Sequence, residues 1–147
     1  MLIQILVCCV IMVINAMIHA GGMSVGLRFF VLKYLPTLET ASILTRSSVV
    51  AALILVMFVT TLIEASVWAA TYTLVGAIPE FQKALYFSTV TYTTLGYGDI
   101  VLAEPWRLLS ALQAASGIIM FGWTTALIVV AIQLVSQSLK QLKAMDS

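Results

Sequence analysis

Three long apolar runs dominate the chain, at residues 1–18, 48–75 and 108–135, and each contains only a few polar side chains. A transmembrane helix needs about 20 predominantly apolar residues to cross a hydrocarbon core about 30 Å thick. The first run is near the lower limit of that length, and the other two are long enough to cross with tilt. None of them has the polar face that a helix of a soluble domain carries. The pattern therefore predicts an all-α integral membrane protein with three transmembrane helices.

A shorter segment at residues 79–93 lies between the last two runs and is too short to span the membrane. Pro79 suits the first turn of a helix, and Glu80 complements the positive end of the helix dipole. The stretch "TLGYGD", residues 94–99, follows, and its alternating glycines are expected to end the helix. Irregular backbone is tolerated at membrane depth only where protein or a watery cavity surrounds it. Because one copy cannot surround this stretch, we expect several copies around an axis.

Composition agrees with a membrane location, because 62% of the residues are hydrophobic and only 9% are charged. Basic residues concentrate in the loop of residues 20–47 and in the tail of residues 137–147. By the positive-inside rule both segments are expected in the cytoplasm, with the N-terminus outside. A cleaved signal peptide is disfavoured because no basic residue precedes the first run. The first run is also not arginine-rich, so it is not expected to sense voltage.

Three features of the N-terminal part carry no clear chemistry. The stretch "GLRFFVLKYLP" either lies on the membrane surface, with aromatic side chains inward and basic ones toward phosphates, or continues the first helix. Cys8 and Cys9 are interpreted as apolar filler because no metal-ligand spacing accompanies them. His19 stands alone and is interpreted as an interfacial residue at a helix end.

The hexapeptide at residues 94–99 resembles the selectivity-filter signature of the potassium-channel pore-domain family, Thr-(Val/Ile/Leu)-Gly-Tyr-Gly-Asp. The likeness extends over roughly residues 50–136 and is greatest to small prokaryotic channels with one pore loop between two spans. It implies a homotetramer in which backbone carbonyls of four chains replace the water of a dehydrated K⁺ ion. The implied ligands are the backbone oxygens of Thr94, Leu95, Gly96 and Tyr97 and the Thr94 hydroxyl, with Gly98 opening the backbone and Asp99 at the outer mouth.

The apolar runs and the basic segments divide the chain into an N-terminal transmembrane helix, a linker, a third segment that the resemblance makes one pore domain, and a short tail. The first two occupy residues 1–19 and 20–47. The pore domain occupies residues 48–136 and the cytoplasmic tail residues 137–147. Within the pore domain the outer helix is expected at 48–75, the pore helix at 79–93, the filter at 94–99 and the inner helix at 106–136.

The inner helix should line a water-filled cavity below the filter. Four of its residues fall at helical spacing on one face, and Thr93 is expected to join them at the cavity. By resemblance Gly117 is a candidate hinge together with Gly122, and close helix packing is the alternative explanation for both glycines. The four cavity residues are Ile118, Phe121, Thr125 and Val129.

Three residues of the pore helix are expected to support the filter. Tyr86 and Phe87 form the aromatic pair that precedes the filter, but Phe87 cannot donate a hydrogen bond to Tyr97. Val90 stands where some members of the family have a buried carboxylate. These departures from the family pattern bear on inactivation rather than on selectivity.

Glu64 is an intramembrane carboxylate, and such residues are costly and by default functional. Glu64, Trp68 and Tyr72 recur every four residues, so they share one helix face that is expected to pack on the pore helix or the last span. Two interpretations stay open. Glu64 either binds the pore scaffold and senses pH, or is a satisfied structural residue.

These observations predict a potassium-selective channel that conducts K⁺ passively through a homotetrameric pore in a bacterial inner membrane. No enzyme activity, cofactor, nucleic acid or small-molecule substrate is expected, and the partners are K⁺, lipid and further copies of the chain. A potassium transporter subunit is disfavoured because such chains carry four pore loops and this one carries a single loop. The alternative is a non-conducting or regulatory membrane subunit that uses the same pore fold.

Overall fold

The computed structural model describes residues 2–30 and 42–145, which form four helices and no strand. They are α1 (Leu2–Phe29), α2 (Ile43–Leu74), α3 (Phe81–Tyr92) and α4 (Arg107–Met145). Within these described ranges, α1, α2 and α4 are long and apolar enough to cross a membrane. The 12-residue α3 is too short to do so. The prediction of an all-α protein with three membrane-spanning helices is confirmed.

The three long helices extend beyond the apolar runs from which they were predicted. Helix α1 continues through Phe29 instead of ending near 19, so the first residues of the expected linker are helical. Helix α2 begins at Ile43 rather than 48, after the N-cap Ser42, whose hydroxyl accepts the Thr45 N–H at 3.3 Å. Helix α4 continues to Met145, through most of the expected tail. Of the stretch "GLRFFVLKYLP", residues 31–36 lie outside the described residues.

Helix α3 occupies Phe81–Tyr92, slightly inside the predicted range of 79–93. Its N-cap residue Glu80 makes no side-chain capping bond. The Glu80 carboxylate instead pairs with Lys83 one turn later, with a nitrogen-to-oxygen distance of 2.7 Å at an exposed site. The helix therefore begins at the surface and runs inward to Tyr92, which is fully buried.

All four helices pack into one bundle, with α3 held between α2 and α4 and with α1 against α2 and α4. The face that α1 turns inward is unusual, because its buried residues are polar or small while its exposed ones are mostly Leu, Ile and Val. A helix with apolar residues outward suits contact with lipid. The buried residues of α1 are Gln4, Cys8, Asn15, His19 and Gly26.

Helices α1 and α2 approach closely at two glycines. A Cβ atom at Gly22 would collide with the Thr60 side chain, and one at Gly26 would come within 2.7 Å of a Leu53 methyl group. These contacts explain why α1 continues past its glycines, which cost a helix about 1 kcal/mol each relative to alanine. Packing against α2 decides where α1 ends.

Candidate functional site

Residues 94–98 leave the C-terminal end of α3 in a backbone conformation that is neither helix nor strand. Left-handed φ angles occur at Thr94 (61°), Gly96 (55°) and Gly98 (77°), and alternate with residues of negative φ. A non-glycine residue in this region is uncommon, and the two glycines are the residue type that enters it without steric cost. Alternation of handedness makes successive peptide groups face a common concavity. The segment can thus present a row of backbone dipoles to a bound ion.

The start of this segment is anchored to the last turn of α3. The carbonyl oxygen of Val90 accepts hydrogen bonds from the N–H groups of Leu95 at 3.0 Å and Gly96 at 3.2 Å. The Thr93 hydroxyl donates back to the Thr89 carbonyl at 2.8 Å. Val90, which was expected to support the filter, therefore contacts the predicted filter segment through its backbone carbonyl.

The predicted filter residues are exposed in a single chain. Residues 93–99 are all exposed, and the Tyr97 side chain is 66% exposed. Backbone polar groups in this state need partners if the segment lies at membrane depth. This chain supplies them for the N–H groups of Leu95 and Gly96, but no described residue donates a hydrogen bond to the carbonyl groups of residues 94–98.

The aromatic pair before the filter makes two different contacts. The Tyr86 hydroxyl donates to Oδ2 of Asp99 at 2.8 Å, which ties α3 to the end of the predicted filter. This hydrogen bond is the main reason that the pKa of Tyr86 is raised, and desolvation adds to it. Phe87 is buried and meets the Tyr72 ring edge-on, with centroids 5.2 Å apart.

A buried amide joins the three helices α2, α3 and α4. Gln113 of α4 is fully buried, and its Oε1 accepts the Tyr72 hydroxyl of α2 at 2.7 Å. Its Nε2 donates to the Ser88 hydroxyl of α3 at 2.7 Å and to the Ser88 carbonyl at 3.2 Å. The Ser88 hydroxyl in turn donates to the Ala65 carbonyl of α2 at 2.6 Å. This cluster fixes the middle of the pore helix.

A second buried network surrounds Glu64, whose two carboxylate oxygens face different helices. Oε1 lies 2.8 Å from Nδ1 of His19 on α1, and Oε2 accepts the Tyr92 hydroxyl of α3 at 2.7 Å. Nε2 of His19 lies 3.2 Å from the Thr124 hydroxyl of α4, and its ring stacks on Trp123 with centroids 5.3 Å apart. His19 is fully buried, so its interpretation as an interfacial residue is wrong.

The face shared by Glu64, Trp68 and Tyr72 is buried, as its spacing predicted, and it contacts the pore helix through Glu64 and Tyr72. Both oxygens of Glu64 have partners, which is what the structural interpretation of this residue requires. Its role as a pH sensor stays a prediction.

The two candidate hinge glycines differ in their surroundings. A Cβ atom at Gly117 would run into the carbonyl oxygen of Tyr92, whereas one at Gly122 would meet nothing within 4 Å in this chain. Close packing therefore accounts for Gly117. It does not account for Gly122 within a single chain.

The four predicted cavity residues of α4 differ in how exposed their side chains are. Ile118, Thr125 and Val129 are exposed, with Ile118 at 62%. Phe121 is half-buried instead, because its ring packs edge-on against Tyr92 with centroids 5.8 Å apart. Three of the four residues are thus exposed in a single chain.

Sequence reasoning missed His19, Ser88 and Gln113 as members of the buried networks. For His19 a usable signal was present, because the polar and small residues of the first run recur every three or four positions. Asn15, His19, Gly22 and Gly26 follow this spacing and mark the inward face. Within the described ranges, no group of three or more His, Cys, Asp or Glu side chains is placed to hold a metal ion.

Residues 49–134, more than half of the chain, match the model of a family described as ion channel. The match covers most of α2, all of α3, the segment of residues 94–99 and most of α4, and it leaves α1 outside. Comparison with curated proteins and with solved structures gives no match.

Proposed function

The chain belongs to the ion channel family, and we propose that it is a potassium-selective channel in which four copies surround one pore. The observation that carries the proposal is the hexapeptide of residues 94–99 at the end of a short helix, with left-handed backbone at alternate positions. The residue order supplies the resemblance to potassium filters, and the backbone angles suit a row of carbonyl ligands.

The helix before the filter supports the binding of a cation. The last carbonyl groups of α3 carry the negative end of its dipole, and the helix ends at Tyr92, two residues before Thr94. The bundle holds α3 in place through the buried contacts of Ser88 and Tyr92. The negative end of this helix dipole, held in place next to the filter, would stabilise a cation there. A buried carboxylate in the pore is then not needed for that purpose.

Assembly around an axis is supported by what a single chain leaves exposed. The filter segment and the face of Ile118, Thr125 and Val129 on α4 are both exposed. With copies around an axis, the filter segments would form the walls of the filter. The exposed α4 faces would form the walls of a cavity. The family resemblance implies that four copies surround this axis.

We further propose that the protein lies in a bacterial inner membrane with its N-terminus outside and its C-terminus in the cytoplasm. A tag placed before Met1 should then be reachable from the periplasm, and one after Ser147 only from the cytoplasm. A chain that crosses the membrane three times has its two termini on opposite sides. Finding both tags on one side would therefore contradict the arrangement.

The decisive experiment is an ion flux measurement in liposomes that contain only this protein. Potassium and rubidium should pass far faster than sodium, external barium should block the flux, and cross-linking should stop at the tetramer. Equal sodium and potassium flux would overturn the filter assignment. Absence of any flux from a stable tetramer would favour a non-conducting subunit with the same fold.

A further inference from the structure

We propose that the N-terminal helix α1 is a positioning element of the pore, and that its His19 sets the place of the pore helix by holding Glu64. The inference rests on the proposed function for its effect on ion flow, although the contacts that carry it lie within one chain. It gives a role to the helix that lies outside the family match.

The first step is the division of the Glu64 carboxylate between two helices. One oxygen receives the Tyr92 hydroxyl, and the other meets the His19 imidazole. All three residues are fully buried. If His19 is removed, Oε1 of Glu64 is left buried without the only partner that the described residues give it. A buried acceptor in that state is costly, so Glu64 would turn toward another donor and release Tyr92.

The second step is the position of Tyr92. It is the last residue of α3 and lies two positions before Thr94, where the left-handed backbone begins. Its hydroxyl is held by Glu64, and its carbonyl oxygen is packed against Gly117 of α4. A shift of the hydroxyl end would therefore tilt the end of the helix that leads into the filter.

The third step is the fixed orientation of His19 itself. Its Nε2 lies 3.2 Å from the Thr124 hydroxyl, and its ring is stacked on Trp123. Because a hydroxyl can donate or accept, Thr124 suits either tautomer of the imidazole. One turn earlier on α1, Asn15 lies near the Tyr92 hydroxyl without forming a hydrogen bond. The helix thus faces Tyr92 at two levels.

A simple shielding role for α1 predicts a different pattern. If α1 only covered α2 from lipid, any loss of α1–α2 packing would act like loss of His19. Gly26 provides the matched control, because it packs on the flexible end of Leu53 about two turns from His19 and makes no polar contact. Gly26→Ala disturbs the packing and leaves the network intact.

The first test does not depend on ion flow. Thermal unfolding of the purified protein in detergent is measured for His19→Ala, Tyr92→Phe and the double variant. His19 and Tyr92 meet only through Glu64, so the proposal requires that the double variant loses clearly less stability than the sum of the two single losses. Additive losses would overturn it. If His19→Ala does not fold, His19→Phe takes its place in the cycle, because it keeps a ring to stack on Trp123 and cannot donate a hydrogen bond to Glu64.

The second test is the potassium-to-sodium permeability ratio in liposomes. His19→Ala and Tyr92→Phe should each lower the ratio about tenfold in an intact assembly, the size of effect expected from losing one hydrogen bond. His19→Asn, which keeps a donor near the position of Nδ1, should recover most of the ratio, and Gly26→Ala should leave it unchanged. A wild-type ratio in folded His19→Ala or Tyr92→Phe would overturn the proposal. A wild type that does not discriminate between the ions would contradict the proposed function, and the unfolding cycle would still decide the role of α1.

Discussion

Nδ1 of His19 and Oε1 of Glu64 lie 2.8 Å apart although 45 positions separate the two residues, and both side chains are fully buried. An isolated ionisable group in a transmembrane bundle is costly, and a partner reduces the cost. The second oxygen of Glu64 is occupied by the Tyr92 hydroxyl. The network therefore tolerates replacements that keep hydrogen bonding and resists those that remove it.

Glu64 offers the first comparison, between glutamine and alanine. Glu64→Gln keeps an acceptor for Tyr92 and a polar group toward His19, so we expect a stable assembly with little change. Glu64→Ala leaves the His19 imidazole and the Tyr92 hydroxyl buried without this partner, at about 1–3 kcal/mol for each group. Thermal unfolding in detergent and the recovery of assembled protein measure the difference. Equal stability of the two variants would contradict the role of this network.

The same variant decides between the two interpretations of Glu64. A structural carboxylate predicts that the current between pH 5 and 8 follows the same curve in wild type and in Glu64→Gln, because neither needs Glu64 to exchange a proton. We expect this result, since both oxygens are already bound. A flattened curve in Glu64→Gln would instead identify Glu64 as a proton sensor.

Gly96 tests the backbone of the filter, with Gly76 as its matched control. Both glycines have left-handed φ angles, 55° and 72°, and neither has an atom within 4 Å of an added Cβ. Alanine at either position costs about 1–2 kcal/mol of backbone strain. Gly96→Ala should abolish potassium selectivity or current. Gly76→Ala should lose comparable stability and keep selectivity, and loss of selectivity in both would show that strain alone is responsible.

The hydrophobic pattern predicted the number of spanning helices because length and apolarity alone decide whether a helix can cross a membrane. It did not predict where α1 ends. Polarity rises at His19 and two glycines follow, which favours a helix end when the segment is considered alone. The helix continues because Gly22 packs on Thr60 and Gly26 packs on Leu53. Those contacts depend on α2, which the local pattern does not contain.

The candidate site divides in the same way. Residues 94–99 were singled out by their resemblance to the filter signature, and their role as a filter stays a prediction. The structure places left-handed backbone at Thr94, Gly96 and Gly98. The partners of Glu64 were not predicted, because His19 and Tyr92 are distant in sequence and converge only after α1 and α3 pack on α2. The inward face of α1 was nevertheless encoded in the spacing of its polar residues. A histidine on the polar face of an apolar helix indicates a buried partner.

Gly117 and Gly122 separate close packing from hinge motion. Gly117→Ala places a methyl group against the Tyr92 carbonyl, which is backbone and cannot rotate away. We expect loss of stability of about 1–3 kcal/mol from overpacking. Gly122→Ala meets no atom within this chain and should be tolerated. Thermal unfolding measures both. If Gly122→Ala is the more damaging variant, that glycine packs against another copy of the chain.

The Tyr86–Asp99 hydrogen bond predicts a pH dependence with a definite sign. The bond raises the pKa of Tyr86 above its ordinary value of about 10. It is therefore present below that value and is lost as pH rises through the raised pKa. Asp99→Asn removes the charged acceptor, so Tyr86 should titrate at lower pH in this variant. The titration curve of Tyr86 is obtained by subtracting the tyrosinate absorbance of the Tyr86→Phe counterpart from that of the wild type and from that of Asp99→Asn. An equal titration midpoint in the two proteins would contradict the hydrogen bond.

Gln113 and Tyr72 test whether the amide cluster holds the pore helix. Gln113→Met has a similar shape but removes the donor to Ser88 and leaves the Tyr72 hydroxyl buried and unpaired, at about 1–3 kcal/mol for that group. Tyr72→Phe leaves Oε1 of Gln113 without its donor. The double variant removes both partners of that bond, so its loss of stability should be smaller than the sum of the single losses.

Unfolding in mixed micelles is measured for the wild type, Gln113→Met, Tyr72→Phe and the double variant. The loss of unfolding free energy of each variant relative to the wild type is then compared. Tyr86→Phe is the matched control, because it removes a tyrosine hydroxyl whose bond is exposed, and it should cost much less than Tyr72→Phe. Ser88 is the contact through which the cluster reaches α3. If the cluster positions that helix, Gln113→Met should also lower the potassium-to-sodium permeability ratio, and the double variant should not restore it, because the bond to Ser88 stays broken. Restored selectivity in the double variant would mean that the cost lay in the unpaired Tyr72 hydroxyl and not in the contact with α3.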